Sequence, residues 1–221
     1  MKWPDPTLIS FKTTLQEGYT LTQLSRNDVE PLTHKVLDWH PNLRYGDGSR
    51  FAQVDYYLNC VSLKHETTRD TVVYVGRKDD DLVCMVCVDR DCYTNSIYGR
   101  LGVVDPAHRR SGLGVVVMEL IEYTAVSQHM ANIYTYATLH DSAVQHLLER
   151  TGYRPIGIIP DRDREFIESE NEIMRVAEVL YVKSLPQSER ILTPSPENMT
   201  PAVRRIWETI NNFNDPELQT P

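Results

Sequence analysis

Cysteine is scarce in this chain of 221 residues: Cys60, Cys84, Cys87 and Cys92 are all there is. So few thiols in a chain this long make no disulfide framework of the kind that staples small secreted domains. Long apolar runs are missing too, and nothing approaches the ~20 consecutive apolar residues that span a bilayer. The start, Met1-Lys2-Trp3-Pro4-Asp5-Pro6, has no apolar core of a signal peptide. The cytoplasm is therefore the expected compartment, with no membrane partner. Positive charge is in deficit: 23 Lys and Arg stand against 31 Asp and Glu, a formal net charge of -8. A nucleic-acid partner would need a local basic patch to overcome that balance, and none of any length occurs. An acidic surface suits a cationic or neutral small substrate better. What remains is ordinary: 41% hydrophobic and 24% charged residues, enough for one well-buried domain with appendages.

Cys84-x-x-Cys87 has a spacing that can bind zinc or do redox chemistry. It falls in an apolar run, 82–89, that reads as a strand. Residues three apart on a strand point to opposite faces, so the thiols should diverge. They are read as small buried hydrophobes, and no metal is expected.

The informative stretch is Val104-Asp105-Pro106-Ala107-His108-Arg109-Arg110-Ser111-Gly112-Leu113-Gly114. A β-branched apolar run, 97–104, precedes it and reads as a strand. A run with apolar residues at helical spacing, 115–130, follows. A strand therefore ends in a basic, glycine-bearing turn that opens a helix. The first turn of a helix has N–H groups without intrahelical partners and the positive end of the dipole. Glycine there lets an anion approach those amides, and Arg109 and Arg110 add charge. The combination predicts a phosphate or pyrophosphate site. No Gly-Lys-Ser/Thr follows, which excludes a Walker loop, and the three-glycine dinucleotide pattern is missing.

The rest of the chain alternates between strand and helix signals. Residues 1–17 read as an irregular or loosely docked arm. A strand is expected at 18–24, then a helix after Ser25 with Val29, Leu32, Val36 and Leu37 on one stripe. A Gly-Asp-Gly-Ser loop at 46–49 leads to a second helix over 51–63. Strands at 71–77, 82–90 and 96–104 form an antiparallel meander. After the central helix come a strand at 132–139, a helix capped by Asp141 or Ser142 and ended by Gly152, and a strand at 153–160. The charged segment 161–172 reads as a mobile loop, and a strand covers 174–185. Residues 186–199 read as a linker. A helix starting at Thr200-Pro201 carries an apolar stripe of Val203, Ile206, Trp207, Ile210 and Phe213. That stripe is expected to dock on its own domain, with a second copy of the chain, a homodimer, as the next choice.

Val104, Pro106, Arg109, Gly112 and Gly114 resemble the acyl-CoA-binding motif Val-x-Pro-x-x-Arg-x-x-Gly-x-Gly of the GNAT superfamily of N-acetyltransferases. The element order β-α-α-β-β-β-α-β-α-β-β resembles the GNAT fold over 18–185. The expected fold class is α/β (α+β): a mixed, mostly antiparallel twisted sheet of about seven strands with a C-terminal helical extension at 186–221. In that fold two parallel strands splay at a bulge and admit the pantetheine arm, and Gly99 and Gly102 suit such a bulge.

The resemblance implies direct transfer of an acetyl group from acetyl-CoA to an amine, with no metal. Backbone amides of Arg109, Arg110, Ser111, Gly112, Leu113 and Gly114 would hold the pyrophosphate. Val103 and Val104 would bond the pantetheine arm, an amide near Val104 polarising the thioester carbonyl. Asp141 stands at the Asn of the family's later Asn-x-x-Ala-x-x-Leu-Tyr-x-x-x-Gly-Phe motif. The chain departs from the family at two catalytic places. The usual base, a Glu about five residues before the motif valine, is Gly99, flanked by Tyr98 and Arg100. Asp89 on the neighbouring strand, His40 and a water chain are the substitutes, and Tyr98 is carried as a further catalytic candidate. The usual acid, a Tyr, is Leu148. His146 and His140 are the candidates to replace it, with unassisted departure of the thiolate as the other course. Substrate walls are expected from the 38–51 loop, the second helix and the 160–172 loop, with Trp39, His40, Tyr45, Asp47 and Tyr57 as candidates. The acceptor is read as a small amine. Transfer to a protein, or acyl-CoA binding without turnover, stay as alternatives.

Overall fold

The computed structural model describes residues 2–167, 169–186 and 192–212. Strands are β1 (Tyr19–Gln23), β2 (Val61–Ser62), β3 (Thr71–Lys78), β4 (Asp81–Asp91), β5 (Ser96–Val104), β6 (Asn132–Thr138), β7 (Arg154–Ile167) and β8 (Glu172–Ser184). Helices are α1 (Val29–Trp39), α2 (Val54–Cys60), α3 (Leu113–Ser127), α4 (Ser142–Arg150) and α5 (Pro201–Asn212). The strands form one eight-stranded sheet in the order β1-β3-β4-β5-β6-β8-β7, with the short β2 also on β3. All neighbours run antiparallel except β2 with β3 and β5 with β6.

β4 explains the two-sided packing. Leu82 to Val88 are all buried, because this strand lies mid-sheet with helices on both faces. Cys84 belongs to the core under α3 and Cys87 to the core under α1 and α2, as the period of two requires. α3 presents Leu113, Val116, Val117, Leu120 and Ile121 to the first core, the spacing of a helix face. α4 is shorter and amphipathic. Asp141 caps it by accepting from the Ala143 amide at 2.8 Å. It ends in a Schellman turn: Gly152, at φ 86°, donates to Glu149, and Tyr153 donates to Leu148.

Several expectations need correction. The arm before β1 is firmly docked: Trp3 is buried, its indole N–H donates to the Arg69 carbonyl at 2.9 Å, and Arg90 lies 4.8 Å over its ring. The expected helix over 51–63 divides into a 3-10 turn (Asp47–Ala52), α2 and β2. The charged 161–172 segment is no loop, since β7 and β8 run through most of it as a long hairpin. α5 forms where the proline start predicted it, but Val203, Ile206 and Trp207 are 51%, 59% and 37% exposed. Among the described residues α5 has none buried, so the expected docking on its own domain is not found. Phe213 and part of the 186–199 linker lie outside the described residues. No helix among the described residues is long and apolar enough to cross a membrane.

Candidate functional site

β5 leaves the sheet core at Val104 and enters a turn fixed by local bonds. Asp105 accepts from the Ala107 amide at 2.8 Å, closing the 3-10 turn Pro106–His108. The Ser111 hydroxyl donates to the His108 carbonyl at 2.7 Å, and Tyr19 bonds the His108 ring at 2.8 Å. Arg110 then takes φ 65° and Gly112 φ 90°. Arg109 before them is extended, at φ -65° and ψ 154°, so the chain makes no continuous helical ladder through the turn and its amides are left open to an anion. Among the described residues, the amides of Arg110, Ser111, Gly112 and Gly114 have no hydrogen-bond partner. Arg109 has only a weak bond, to Pro106 at 3.4 Å. Leu113 bonds the Ser111 hydroxyl at 3.5 Å, and its side chain is core. The Arg109 guanidinium leans on the carbonyls of Val104 and Trp39 at 3.4 Å each. Arg110 is exposed and has no side-chain partner among the described residues, so its charge stays available.

The two motif glycines differ in role. A Cβ on Gly112 would meet only the Thr13 methyl at 3.7 Å, so φ alone demands glycine there. A Cβ on Gly114 would meet Leu147 of α4 at 3.3 Å, so this glycine lets α4 close on α3.

Beside the turn the sheet opens. β5 and β6 pair only over Ser96–Gly99 and Asn132–Thr135. Beyond that point β6 follows β8, and β5 follows β4 across a bulge in which Arg100 has no partner residue. The bulge falls where Gly99 suggested one. The Asp105 amide donates to Val83 at 2.8 Å, which sets the phase of the ladder. By alternation, the backbone groups of Val104 and Gly102 face the gap, and those of Val103 face β4.

On the α1/α2 side of the gap the residues are polar and aromatic. At its base Asp89, Tyr98 and Arg100 come together: Arg100 Nε is 2.6 Å from Asp89 Oδ2, and its guanidinium lies 5.0 Å over the Tyr98 ring. Tyr98 stacks on Tyr134 at 5.5 Å. Asp89 Oδ1 is buried without a hydrogen-bond partner. Nearby, burial pushes the Cys87 thiol up to about 12.

The upper wall is built by two distant segments. β7 bulges between Ile159 and Asp163, which sets Arg162 over Tyr136 of β6 at 4.9 Å. Arg162 also stands 4.0 Å from Asp47 and 4.0 Å from Glu178. The 41–52 loop closes on β7 through the Asp47 amide on Asp163 at 2.8 Å and Tyr45 stacked on Phe166 at 6.2 Å. Glu178, on β8 opposite Thr138, faces away from the α3 core that its neighbour Val179 enters. Among the described residues its carboxylate accepts no hydrogen bond, and its side chain is 16% exposed. Burial, with Asp163, Glu165 and Asp47 adding to it against Arg162, pushes its pKa up to about 6. His40 stands at the mouth, open to solvent but crowded. Burial holds its pKa below the ordinary imidazole value, against the pull of Glu165 and with Arg109 acting the same way.

Asp89, Tyr98, His40 and Asp47 are thus gathered on one side of the gap. Three sequence candidates are not. His146 is exposed on the outer side of α4, since a step of two residues from buried Leu148 turns about 200°. Tyr57 is wholly buried and donates to the Phe51 carbonyl at 2.9 Å. The Trp39 side chain is also core. Glu178, Arg162 and Tyr136 were missed, because no local pattern marks them. No group of three or more His, Cys, Asp and Glu among the described residues could hold a metal ion.

No protein-family model matches the sequence, and no curated protein matches it. Solved structures do. A dodecameric spermidine N-acetyltransferase from Vibrio cholerae aligns with TM-score 0.59 and 14% identity, over 76% of this chain and 95% of that one. The ribosomal-protein-S18-alanine N-acetyltransferase from Escherichia coli aligns with TM-score 0.55 and 13% identity, over 79% and 99%. An IAA acetyltransferase from Bacillus cereus aligns with TM-score 0.54 and 10% identity, over 76% and 99%. The open gap between two parallel strands, the anion turn beside it and these likenesses agree: the chain has the GNAT N-acetyltransferase fold.

Proposed function

We propose that the chain is an acetyl-CoA-dependent N-acyltransferase that passes an acetyl group directly to an amine of a small molecule. The observation that carries this reading is the row of unpartnered amides at Arg110, Ser111, Gly112 and Gly114, opening beside the gap between β5 and β6. The turn suits a diphosphate: unpartnered amides, the positive end of α3 and the exposed charge of Arg110. The Val104 amide, turned into the gap, suits a carbonyl oxygen that gains charge during acyl transfer. The polar face holding Asp89, Tyr98 and Glu178 receives the amine. Holding the two reactants across one gap removes much of the entropic barrier. Leu148 is core, so α4 supplies no acid there, and a thiol of pKa near 8.5 is a tolerable leaving group without one.

The small-molecule acceptor rests on the upper wall. The 41–52 loop and β7 are bonded to each other on the acceptor side, through Asp47 on Asp163 and Tyr45 on Phe166, and a wall closed in this way favours a small amine over an extended peptide. Thiol release from acetyl-CoA across a panel of small amines and peptides tests the reading, with coenzyme A binding measured separately. The expected result is turnover of a small amine and weaker coenzyme A binding by Arg110→Glu. Coenzyme A binding without turnover of any amine would leave a binding module, and turnover of peptides alone would move the acceptor to protein.

A further inference from the structure

Resting on that reading, we infer that Glu178 is the group that takes the proton from the attacking amine, directly or through one water, with Arg162 as its positioning residue. Asp89, the sequence-based candidate, is bound up with Arg100 at 2.6 Å and lies at the base of the gap. Glu178 sits higher, beside Tyr136 and Thr138 on the part of β6 that β5 has left. Its carboxylate accepts no hydrogen bond among the described residues, and its only close cation is Arg162 at 4.0 Å. The β7 bulge and the 41–52 loop both converge there, through Arg162 and Asp47. The charged groups facing it are Arg162, Asp163 and Glu165 from β7 and Asp47 from the loop, while β6 offers only Tyr136 and Thr138. A base works best when its pKa lies near the operating pH, and burial, with three neighbouring carboxylates adding to it, raises this one.

The amine lone pair forms the N–C bond at the thioester carbonyl carbon, and the carbonyl π pair moves to oxygen. The proton lost by nitrogen goes to the Glu178 carboxylate. The oxyanion re-forms the carbonyl as the C–S bond breaks, and sulfur leaves with the bonding pair as thiolate. Glu178 then returns its proton to water.

The test is the pH profile of kcat/KM for the accepted amine, with Glu178→Gln, Glu178→Asp and Arg162→Ala beside wild type. Wild type should show an acid limb near pH 6. In Glu178→Gln the rate should fall on the order of 100-fold and the limb should vanish, with coenzyme A binding within twofold of wild type. Glu178→Asp should restore part of the rate, and Arg162→Ala should move the limb to higher pH. An unmoved limb and a rate within threefold of wild type in Glu178→Gln would overturn the assignment while leaving the transferase reading intact. Absence of turnover in wild type itself would overturn both.

Discussion

Replacing Gly112 by Ala separates the anion turn from every other feature of the motif. The added methyl would have room, since its nearest neighbour is the Thr13 methyl at 3.7 Å. The cost is conformational: at φ 90° an L residue is strained by about 1–2 kcal/mol. At ~2–4 °C per kcal/mol for a chain of this size, Tm should fall by roughly 2–8 °C. If the residue relaxes out of that conformation, one or two of the amides at Arg110, Ser111 and Gly112 turn away. A hydrogen bond to a charged group contributes ~1.5–3 kcal/mol, so losing one weakens coenzyme A binding roughly 10- to 150-fold. Gly114→Ala is the control. It lies inside α3, where Ala is favoured by ~1 kcal/mol, and its methyl presses on Leu147 at 3.3 Å. Its effect should fall on the α3–α4 contact, and binding should stay within a few-fold. Calorimetric titration with coenzyme A and thermal unfolding by circular dichroism read both variants. Binding within twofold of wild type by a Gly112→Ala protein whose Tm is also unchanged, so that the residue has relaxed out of the strained conformation, would refute the assignment of the turn.

Alkylation should reach Cys60 and Cys92 well before Cys84 and Cys87, because the first two are exposed and burial pushes both others up to about 12. Mass spectrometry of partly alkylated protein checks this, and early labelling of Cys84 would contradict the two-sided core. His146→Ala should leave kcat within twofold of wild type, while Leu148→Ala should destabilise the fold by ~2–5 kcal/mol. A large loss of rate in a stable His146→Ala protein would mean that α4 does supply the acid.

The parts legible in the sequence are those fixed by near neighbours. The turn could be read because its amides, glycines and arginines lie within a few residues of one another. The opposite faces of Cys84 and Cys87 followed from the period of a strand. The length of β7 could not be read, because it resumes after the Ile159–Asp163 bulge and Asp163 to Phe166 pair only with β8 at the edge of the sheet, so they need no apolar alternation. His146 was misplaced by helical phase: aligning on Gly152 fixed the register, but the inward direction belongs to Leu148. Glu178 had no local signature at all. Its setting arises from the register of β8 on β6 and from a β7 bulge that brings Arg162, with Asp47 arriving from more than a hundred residues away. α5 displays the opposite case, a correct local prediction whose partner surface no local pattern names.

That assembled environment should register in stability as well as in rate. A carboxyl whose pKa rises from 4.5 to about 6 on folding holds its proton more tightly in the native state than in the unfolded one. Below both values it contributes nothing. As pH rises between them the unfolded chain ionises first, and above them the fold bears a net cost of roughly 2 kcal/mol. Stability due to this group is therefore lost, not gained, on going from acid to neutral pH. Gln keeps the shape and cannot ionise, so the difference in unfolding free energy between Glu178→Gln and wild type isolates the effect. Urea unfolding at pH 5 and pH 8 should find that difference moving in favour of the Gln variant by roughly 1 kcal/mol, since part of the loss is already complete at the lower pH. A difference that stays constant across that interval would mean that Glu178 titrates alike in both states. The crowding of carboxylates at the top of the gap would then do nothing to ready it for a proton.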